Sequence, residues 1–434
     1  MRNIRGIVSS SRQTLSGAAK RVTVVAVVSA VAGATLVSTS GAGTAEAVGN
    51  FYLPPANYSS TPGDIVRTQH ADLLLQIPGV KRQWPGNATR IMYTSTKQDG
   101  SKTAVTGTVV EPTAPWQGKG KRPTVVLAPG TIGQGDQCAG SKMLSFPMSI
   151  DPTKPSIGVN YSGLEMNLFL LNGVRVVMTD YIGLGTPGIH TYVNRAESAH
   201  AVLDAARAAL KTAKAPKDAP VAFAGYSQGG GSAAAAAELA STYAPELNVK
   251  ATYAGAPPAD LAKVLPAIDG TFITGAIGYA INGLAARYPE INSILDKETN
   301  ATGRKALKAV STQCIGDTAL AFGFQRTSSW TRTGESLSSV IKRYPVIQDA
   351  LADQRIGKLK PNAPVLISTG INDDVIPHGQ VITLYRDWKK QGAVVHLAND
   401  YTPPIFPGLV VNHALPMLFQ LLPGTNFILG EFNS

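Results

Sequence analysis

Cysteine is scarce in this chain, and its scarcity limits the sites that the chain can build. Only Cys138 and Cys314 occur among the 434 residues. Structural zinc sites are built from several thiolate and imidazole ligands, so no structural metal site is expected. The chain also lacks a long run of basic residues, although its formal net charge is +11. We therefore expect no nucleic-acid-binding surface.

The first 47 residues differ in composition from the rest of the chain. Five basic residues precede an apolar run at residues 22–37, and Ala45 and Ala47 provide the small residues of a cleavage site. The apolar run is short and has polar interruptions, which favours a cleaved signal peptide over a membrane anchor. We predict cleavage after Ala47 and export of the mature chain. In an oxidising compartment the two cysteines are expected to form one disulfide.

Short apolar runs and helical patterns alternate along much of the mature chain. Apolar strands are predicted at residues 124–128, 174–180, 221–225, 249–254 and 364–370, and a further strand is predicted at residues 394–398. Helices are predicted at residues 163–171, 194–213, 230–239, 382–391 and 413–422. Strands that alternate with helices at this spacing predict an α/β fold, with a mostly parallel sheet covered by helices on both faces.

Three segments depart from this alternation. Residues 51–79 contain four prolines and are predicted to wrap the surface. Residues 89–96 and 103–110 predict a hairpin at a sheet edge. The segment 256–362 shows helical patterns only, and we predict that it is a cap inserted into a core formed by residues 48–255 and 363–434.

The residues Gly225-Tyr226-Ser227-Gln228-Gly229 form a G-x-S-x-G motif between a predicted strand and an alanine-rich helix. At such a sharp turn the two glycines leave room for the backbone, so the serine projects its hydroxyl above the sheet. We predict that Ser227 is a nucleophile. A serine in this role needs a histidine base and a carboxylate that orients the histidine.

The order of residues along the chain limits the choice of base and acid. In folds of this kind the serine comes first, then the acid, then the histidine, so three of the six histidines are excluded because they precede Ser227. His378 adjoins a helix start and His396 lies within a strand. His413 lies in a loop rich in proline and glycine before the last helix, and we choose it as the base.

Candidates for the acid and for the oxyanion hole follow two of the buried strands. Asp373 and Asp374 both follow the strand at residues 364–370, and the residues alone do not decide between them. The oxyanion hole needs two N–H donors. We expect one from Gln228, directly after the nucleophile, and the other from Gly130 or Thr131 after the strand at residues 124–128.

A second glycine motif is discounted as a cofactor site. Residues 183–188 spell G-x-G-x-x-G, the pattern of dinucleotide-binding loops. Pro187 falls inside the motif, and the next helix does not begin until after Asn194. Because these features do not match a strand followed directly by a helix, we expect a plain loop and no cofactor.

Several motifs together resemble the secretory lipases of the lipase A type, which yeasts and actinobacteria export. They are residues 61–64 (TPGD), 180–185 (DYIGLG), 225–229 (GYSQG), 255–260 (GAPPAD), 314–317 (CIGD) and 373–377 (DDVIP). The resemblance covers nearly all of the mature chain. It implies an α/β-hydrolase core, an inserted helical cap and esterase activity on acylglycerols.

The resemblance also implies roles for particular residues. It places the nucleophile at Ser227, the base at His413 and the acid at Asp373, and it implies a disulfide between Cys138 and Cys314. One departure concerns the oxyanion loop, because the yeast members have an aspartate where this chain has Pro129-Gly130-Thr131. The source of the second oxyanion donor is therefore left open.

The sequence thus predicts a secreted serine ester hydrolase, foremost a triacylglycerol lipase that acts as a monomer without a cofactor. The alternatives are a short-chain carboxylesterase, an acyltransferase of the cell envelope, and a non-catalytic lipid-binding protein on the same scaffold. The apolar stretch at residues 272–284 is expected to line an acyl tunnel, to face a lipid surface, or to pack within the cap.

Overall fold

The structure is a computed structural model that describes residues 51–71, 85–143, 148–150 and 156–434. Residues Phe51–Ser434 belong to one structural unit. The predicted signal peptide at residues 1–47 lies outside the described residues. Among the helices that are described, none is both long and apolar enough to cross a membrane.

Strands β1 to β11 are described. They are β1 (Ile65–Ala71), β2 (Gly86–Thr96), β3 (Lys102–Pro112), β4 (Thr124–Ala128), β5 (Met148–Ile150), β6 (Ile157–Val159), β7 (Arg175–Thr179), β8 (Pro220–Tyr226), β9 (Asn248–Gly255), β10 (Val365–Gly370) and β11 (Val395–Asp400). Strands β5 and β6 form a separate antiparallel pair. The others form a sheet in the order β1-β2-β3-β7-β4-β8-β9-β10-β11.

The sheet is parallel from β7 to β11 and antiparallel from β1 to β7. The predicted α/β class with a mostly parallel sheet is therefore confirmed, and so is the pairing of β2 with β3. The hairpin does not lie at the sheet edge, however, because β1 pairs with the outer side of β2. Residues 65–71, expected to wrap the surface, form this edge strand in a proline-free stretch between Pro62 and Pro78.

Helices α1 to α12 are also described. They are α1 (Ser162–Leu171), α2 (Arg195–Thr212), α3 (Gln228–Tyr243), α4 (Leu261–Ala267), α5 (Ala276–Ala285), α6 (Glu290–Glu298), α7 (Ala301–Val310), α8 (Ile315–Phe322), α9 (Leu337–Arg343), α10 (Pro345–Asp353), α11 (His378–Lys390) and α12 (Val411–Phe432). The predicted cap of α2 is present, since the Asn194 side chain accepts a hydrogen bond from the Glu197 N–H.

Two hydrophobic cores lie on opposite faces of the sheet. In β4, Val126 belongs to the core shared with α2, α3 and α11, whereas Val125 and Leu127 belong to the core shared with α1 and α12. This alternation follows from the period of two in a strand, where successive side chains point to opposite faces. Both faces of the sheet are therefore covered, which explains why its central strands are apolar throughout.

Helices α4 to α10 form one inserted segment between β9 and β10. It falls within residues 256–362, whose role as a cap remains a prediction. The start of α8 contacts the loop after β4, which carries Gly130 and Thr131. Gly133 pairs with Cys314 in an isolated β-bridge, and the Gln134 N–H donates to the Gln313 carbonyl oxygen at 3.0 Å.

A disulfide reinforces this contact. Cys138 and Cys314 are bonded across a sequence separation of 176 residues, and both are buried. The predicted disulfide is thus confirmed. It links the loop after β4 to the inserted segment at the point where the backbone hydrogen bonds also join them.

We expect the double substitution Cys138→Ala and Cys314→Ala to lower stability by about 2–5 kcal/mol, because the bond closes a long loop in the unfolded chain. Thermal unfolding of the oxidised wild type and the variant measures the difference. Wild type unfolded in the presence of a strong thiol reductant is the matched control and should approach the variant. An unfolding midpoint that is the same in all three samples would show that the β-bridge alone holds the loop.

Candidate active site

Ser227 lies at a sharp turn between β8 and α3. Its backbone dihedrals are φ 60° and ψ −123°, in a region that residues with a side chain rarely adopt. The Ser227 N–H donates to the Gly255 carbonyl oxygen of β9 at 2.9 Å. The turn therefore places the serine at the carboxyl end of the parallel strands, as the motif predicted.

The glycines that flank Ser227 permit a close approach between α3 and the neighbouring strands. A Cβ atom on Gly229 would lie 2.0 Å from the Ala128 carbonyl oxygen of β4, and one on Gly230 would lie 2.0 Å from the Gly255 carbonyl oxygen. A Cβ on Gly225 would lie 2.5 Å from the backbone of Gly229. No larger residue fits at these positions without a shift of the backbone.

His413 and Asp373 meet near this turn. The His413 Nδ1 atom and the Asp373 Oδ2 atom are 2.8 Å apart, and both side chains are almost fully buried. The other carboxylate oxygen, Oδ1, accepts from the N–H groups of Val375 at 2.9 Å and Ile376 at 2.8 Å. A carboxylate can only accept a hydrogen bond, so the Nδ1 atom of His413 carries the proton. The Nε2 atom is therefore the basic nitrogen of the ring.

His413 does not lie in the loop where it was expected as the base but in the first turn of α12; the helix predicted at residues 413–422 in fact begins two residues earlier, at Val411. The helix begins at Val411, directly after Val410, which has a left-handed backbone with φ 67°. The proline-rich stretch before it ends earlier than expected. Pro416 and Pro423 lie inside α12, so proline was a poor guide to the helix boundary here.

Asp374 contacts the segment that leads into α12, not the imidazole ring. Its Oδ2 atom accepts from the N–H groups of Gly408 at 2.8 Å and Val410 at 3.2 Å, and from the Asn412 amide at 3.4 Å. Burial raises the pKa of Asp374. Of the two competing aspartates, Asp373 is therefore the one beside His413, while Asp374 binds the backbone segment that precedes α12.

Ser227 and His413 both line a cavity of about 370 Å³. Most of its other lining residues are apolar and come from the inserted segment, α12 and the loop after β10, for example Leu265, Phe272 and Val375. Within the described part of the chain, the Ser227 hydroxyl makes no hydrogen bond to another residue. Such contacts are often long in an unliganded site and tighten when substrate binds.

Two of the three predicted oxyanion residues, Gln228 and Thr131, line this cavity. Gln228 is the first residue of α3, so its N–H has no partner within the helix. Thr131 lines the cavity, and its hydroxyl lies 2.7 Å from the Tyr192 hydroxyl. Gly130 packs against the Tyr161 hydroxyl and does not line the cavity in this structure.

His190 holds the side chain of Gln228. Its Nδ1 atom donates to the Ile182 carbonyl oxygen at 3.1 Å, so its Nε2 atom accepts from the Gln228 amide at 3.0 Å. Burial lowers the pKa of His190 to about 4, which keeps the ring neutral. The sequence excluded His190 as a base because of its position in the chain, and it gave no sign of this contact.

The glycine motif at residues 183–188 forms a loop. Gly183 and Gly185 have positive φ angles, and the Gly185 N–H donates to the Asp136 carboxylate at 3.0 Å. The backbone N–H of Gly185 therefore already has a hydrogen-bond partner within the protein. Across the described ranges, no group of three or more His, Cys, Asp or Glu side chains is arranged to hold a metal ion.

A comparison with known protein families shows to which family the chain belongs. The model of the secretory lipase family matches residues 153–417, which is more than half of the sequence. The chain belongs to the secretory lipase family. Lipases are carboxylic ester hydrolases, and this enzyme class agrees with the resemblance noted in the sequence.

Individual relatives of this secretory lipase are distant but extensive. A secreted triacylglycerol lipase of Malassezia globosa is 27% identical over 385 residues, with 86% of this chain and 79% of the relative covered. A Mycobacterium tuberculosis protein named "Probable inactive lipase" is 26% identical over 372 residues, with 81% of this chain and 76% of the relative covered. The structure of Candida antarctica lipase A in its closed state has a TM-score of 0.74 at 21% identity, with 88% of this chain and 85% of that one covered. The last comparison confirms the α/β-hydrolase fold.

The two adjacent aspartates predict different losses of activity. We expect Asp373→Asn to lower kcat by about 10⁴-fold, because the imidazole loses the carboxylate that orients it. Asp374→Asn should lower kcat by between about tenfold and 100-fold, since it loosens the segment that positions His413. Hydrolysis of a soluble p-nitrophenyl ester measures both.

Limited proteolysis provides the control for this pair. Cleavage within residues 401–410 should increase in Asp374→Asn and stay at the wild-type level in Asp373→Asn. Equal losses of kcat in the two variants, with equal cleavage, would contradict the division of roles between the two side chains.

The buried His190 predicts a dependence of stability on pH. Its pKa is about 4 in the folded protein, against an ordinary value of 6.5, so only the unfolded chain binds its proton between these values. The free energy of unfolding should therefore rise with pH over this window, by up to about 3 kcal/mol for this group. Urea unfolding between pH 4.5 and pH 7 should show a weaker rise in His190→Gln. An identical pH dependence in the two proteins would show that His190 titrates normally.

Proposed function

We propose that this secretory lipase hydrolyses acylglycerols through an acyl-enzyme on Ser227, with His413 as the base and Asp373 as the acid. The observation that carries the proposal is the convergence of Ser227 and His413 on one apolar cavity, with Asp373 hydrogen-bonded behind the imidazole. These three side chains come from three different turns at the carboxyl ends of β8 and β10 and the start of α12. Catalytic groups of open α/β sheets gather at this edge.

The proposed reaction follows the geometry of the imidazole. His413 Nε2 takes the hydroxyl proton of Ser227 while the Ser227 Oγ atom attacks the ester carbonyl carbon. Asp373 stabilises the resulting imidazolium. The imidazolium then gives this proton to the departing alcohol, which leaves an ester of Ser227. Water attacks this ester with His413 again as base, and the fatty acid is released.

The Gln228 N–H is proposed as the first donor to the oxyanion. It belongs to the first turn of a 16-residue helix, where backbone N–H groups are unpaired and the helix dipole favours negative charge. Gly130 and Thr131 were the candidates for the second donor. Thr131 is the better placed of the two, because it lines the cavity.

The cavity favours an acyl substrate of substantial size. Its volume of about 370 Å³ and its largely apolar lining suit an alkyl chain, since burial of each CH₂ group contributes roughly 0.8 kcal/mol. Phe272, Ile273 and Ala276 line the cavity, whereas Ile277 and Tyr279 are buried in the packing of the inserted segment. The stretch at residues 272–284 thus serves partly as cavity wall and partly as core.

Exposed apolar side chains near the cavity suit contact with a lipid surface. Leu409 lines the cavity and is 42% exposed, and Phe406, three residues before it, is 68% exposed. Phe324 is 55% exposed, and its ring centroid lies 5.8 Å from that of Phe272 in the cavity wall. We call Phe324, Phe406 and Leu409 the apolar rim. The proposal includes docking of this rim on aggregated substrate.

The remaining predictions belong to the same proposal. Residues 256–362 act as a cap over a core of residues 48–255 and 363–434, and the signal peptide is removed after Ala47. The family is one of secreted proteins, which supports an extracellular protein. We propose that the mature chain acts as a monomer without a cofactor.

A non-catalytic role is the alternative that a specific observation favours, namely the name of the Mycobacterium tuberculosis relative. The intact set of Ser227, His413 and Asp373, and the hydrogen bond between the last two, favour catalysis in this chain. A short-chain carboxylesterase and an envelope acyltransferase use the same three residues. They differ in the acyl length that the cavity takes and in the acceptor of the acyl group.

Labelling and hydrolysis test the proposal together. A fluorophosphonate should label the wild type rapidly and leave Ser227→Ala unlabelled, because the reagent reacts only with an activated serine. Emulsified triolein and p-nitrophenyl esters of increasing chain length should both be hydrolysed by the wild type. Absence of labelling and of hydrolysis would support the non-catalytic protein instead.

A rim variant separates contact with lipid from chemistry. Phe406→Ser should slow the hydrolysis of emulsified triolein severalfold, whereas its rate on a soluble short ester should stay within about twofold of wild type. The reason is that Phe406 is largely exposed and does not line the cavity that contains Ser227. Wild-type hydrolysis of short soluble esters alone would favour the carboxylesterase. Transfer of the acyl group to an added alcohol in preference to water would favour the acyltransferase.

A further inference from the structure

The second oxyanion donor is the part of the site that the sequence left open. Thr131 is the better placed of the two candidates, and the Tyr161 hydroxyl lies close to its backbone N–H. This N–H favours the charged form of the phenol and so lowers the pKa of Tyr161, although burial raises that pKa by more. A substrate oxygen would have to compete with this hydroxyl for the same N–H.

Tyr161 reaches the oxyanion loop because residue 130 is a glycine. A Cβ atom at Gly130 would lie 1.5 Å from the Tyr161 hydroxyl oxygen, so any larger residue would displace the tyrosine. Tyr161 directly precedes α1, and its side chain lines the cavity together with Ser227, Gln228 and Thr131. The hydroxyl therefore lies between the oxyanion loop and the cavity.

The Tyr161 hydroxyl still has a proton to donate. A phenol can accept a hydrogen bond from an N–H and donate its own O–H at the same time. In the part of the chain that the structure describes, no residue accepts a hydrogen bond from this O–H. Burial raises the pKa of Tyr161 far above its ordinary value, so the group stays protonated at the pH values where a lipase works.

Tyr192 is a second tyrosine beside Thr131, and its hydroxyl has a partner within the protein. It lies 2.7 Å from the Thr131 hydroxyl, and one of these two groups donates to the other. Tyr192 also lines the cavity. It therefore provides a matched comparison in which the ring is similar and the hydroxyl already has a partner.

We propose that Tyr161 is a further catalytic residue, whose hydroxyl donates the second hydrogen bond to the oxyanion. As Ser227 Oγ bonds to the carbonyl carbon, the π electron pair of the carbonyl moves onto its oxygen, and Tyr161 and the Gln228 N–H donate to that oxygen. Tyr161 keeps its proton throughout, and the proton of Ser227 goes to His413. The Thr131 N–H polarises the phenol from behind, which strengthens its O–H as a donor. The inference rests on the proposed function of Ser227.

The substitution Tyr161→Phe tests the donor with soluble p-nitrophenyl esters. Loss of one oxyanion donor is expected to lower kcat by about 10²-fold to 10³-fold with KM within about twofold, because the interaction forms only in the transition state. An alkyl trifluoromethyl ketone, which gives a hemiketal oxyanion with Ser227, should bind more weakly by the same factor. The corresponding unreactive alcohol should bind as it does to wild type.

Two further variants keep the test decisive. Gly130→Ala retains Tyr161 but excludes its hydroxyl from the loop, so it should also lower kcat and weaken the ketone selectively. Tyr192→Phe should have a much smaller effect, of similar size for ketone and alcohol. Thermal unfolding of each variant measures any loss of structure.

Three outcomes would overturn the inference. A kcat for Tyr161→Phe equal to or above that of wild type would mean that the hydroxyl merely blocks the Thr131 N–H. Equal weakening of ketone and alcohol, with a lower unfolding temperature, would mean a structural role. If the wild type shows no turnover that requires Ser227, the proposed function is wrong and this inference is wrong with it. If the wild type turns over normally and Tyr161→Phe has the same activity, this inference alone is wrong.

Discussion

The close approach of helix α3 to the ends of β4 and β9 is the constraint on which the rest of the site depends. Carbonyl oxygens of both strands lie where a side chain on Gly229 or Gly230 would have to be. This contact fixes the first turn of α3 in height and direction above the sheet. Ser227 is thereby held in its unfavourable backbone conformation, and Gln228, the first residue of α3, lines the cavity. The tight packing of small residues thus maintains the strain at the proposed nucleophile.

Much of this arrangement could be predicted from the sequence because the signals are local. Continuous apolar runs predicted the central strands, and the motif around Ser227 predicted the turn between β8 and α3. The chain order of serine, acid and histidine excluded three of the six histidines, and His413 was then chosen over His378 and His396 because it was expected to lie in a loop. These predictions rest on backbone geometry and on short-range periodicity, which a single sequence records directly.

The parts that escaped prediction depend on contacts between segments that are distant in sequence. Asp373 and Asp374 are neighbours with the same chemistry, so the residues alone did not decide between them, and only the family resemblance pointed to Asp373. In the structure the position of α12 distinguishes the aspartate beside the imidazole from the one that binds the preceding backbone. Likewise, nothing near His190 or Tyr161 in the sequence indicates a contact with Gln228 or Thr131. The edge strand β1 was missed for a different reason, because nearby prolines outweighed a short stretch that becomes a strand by pairing with β2.

The division of labour between the two aspartates has a consequence for how such a protein can diversify. Asp374 fastens the backbone at Gly408 and Val410, and the Asn412 side chain fastens it at Ile405, so the exposed Phe406 lies between two attachments. The side chain at residue 406 can therefore change in size and polarity without moving His413. The side chains proposed to contact lipid are therefore free to evolve on their own, while the imidazole keeps its place through attachments only a few residues away.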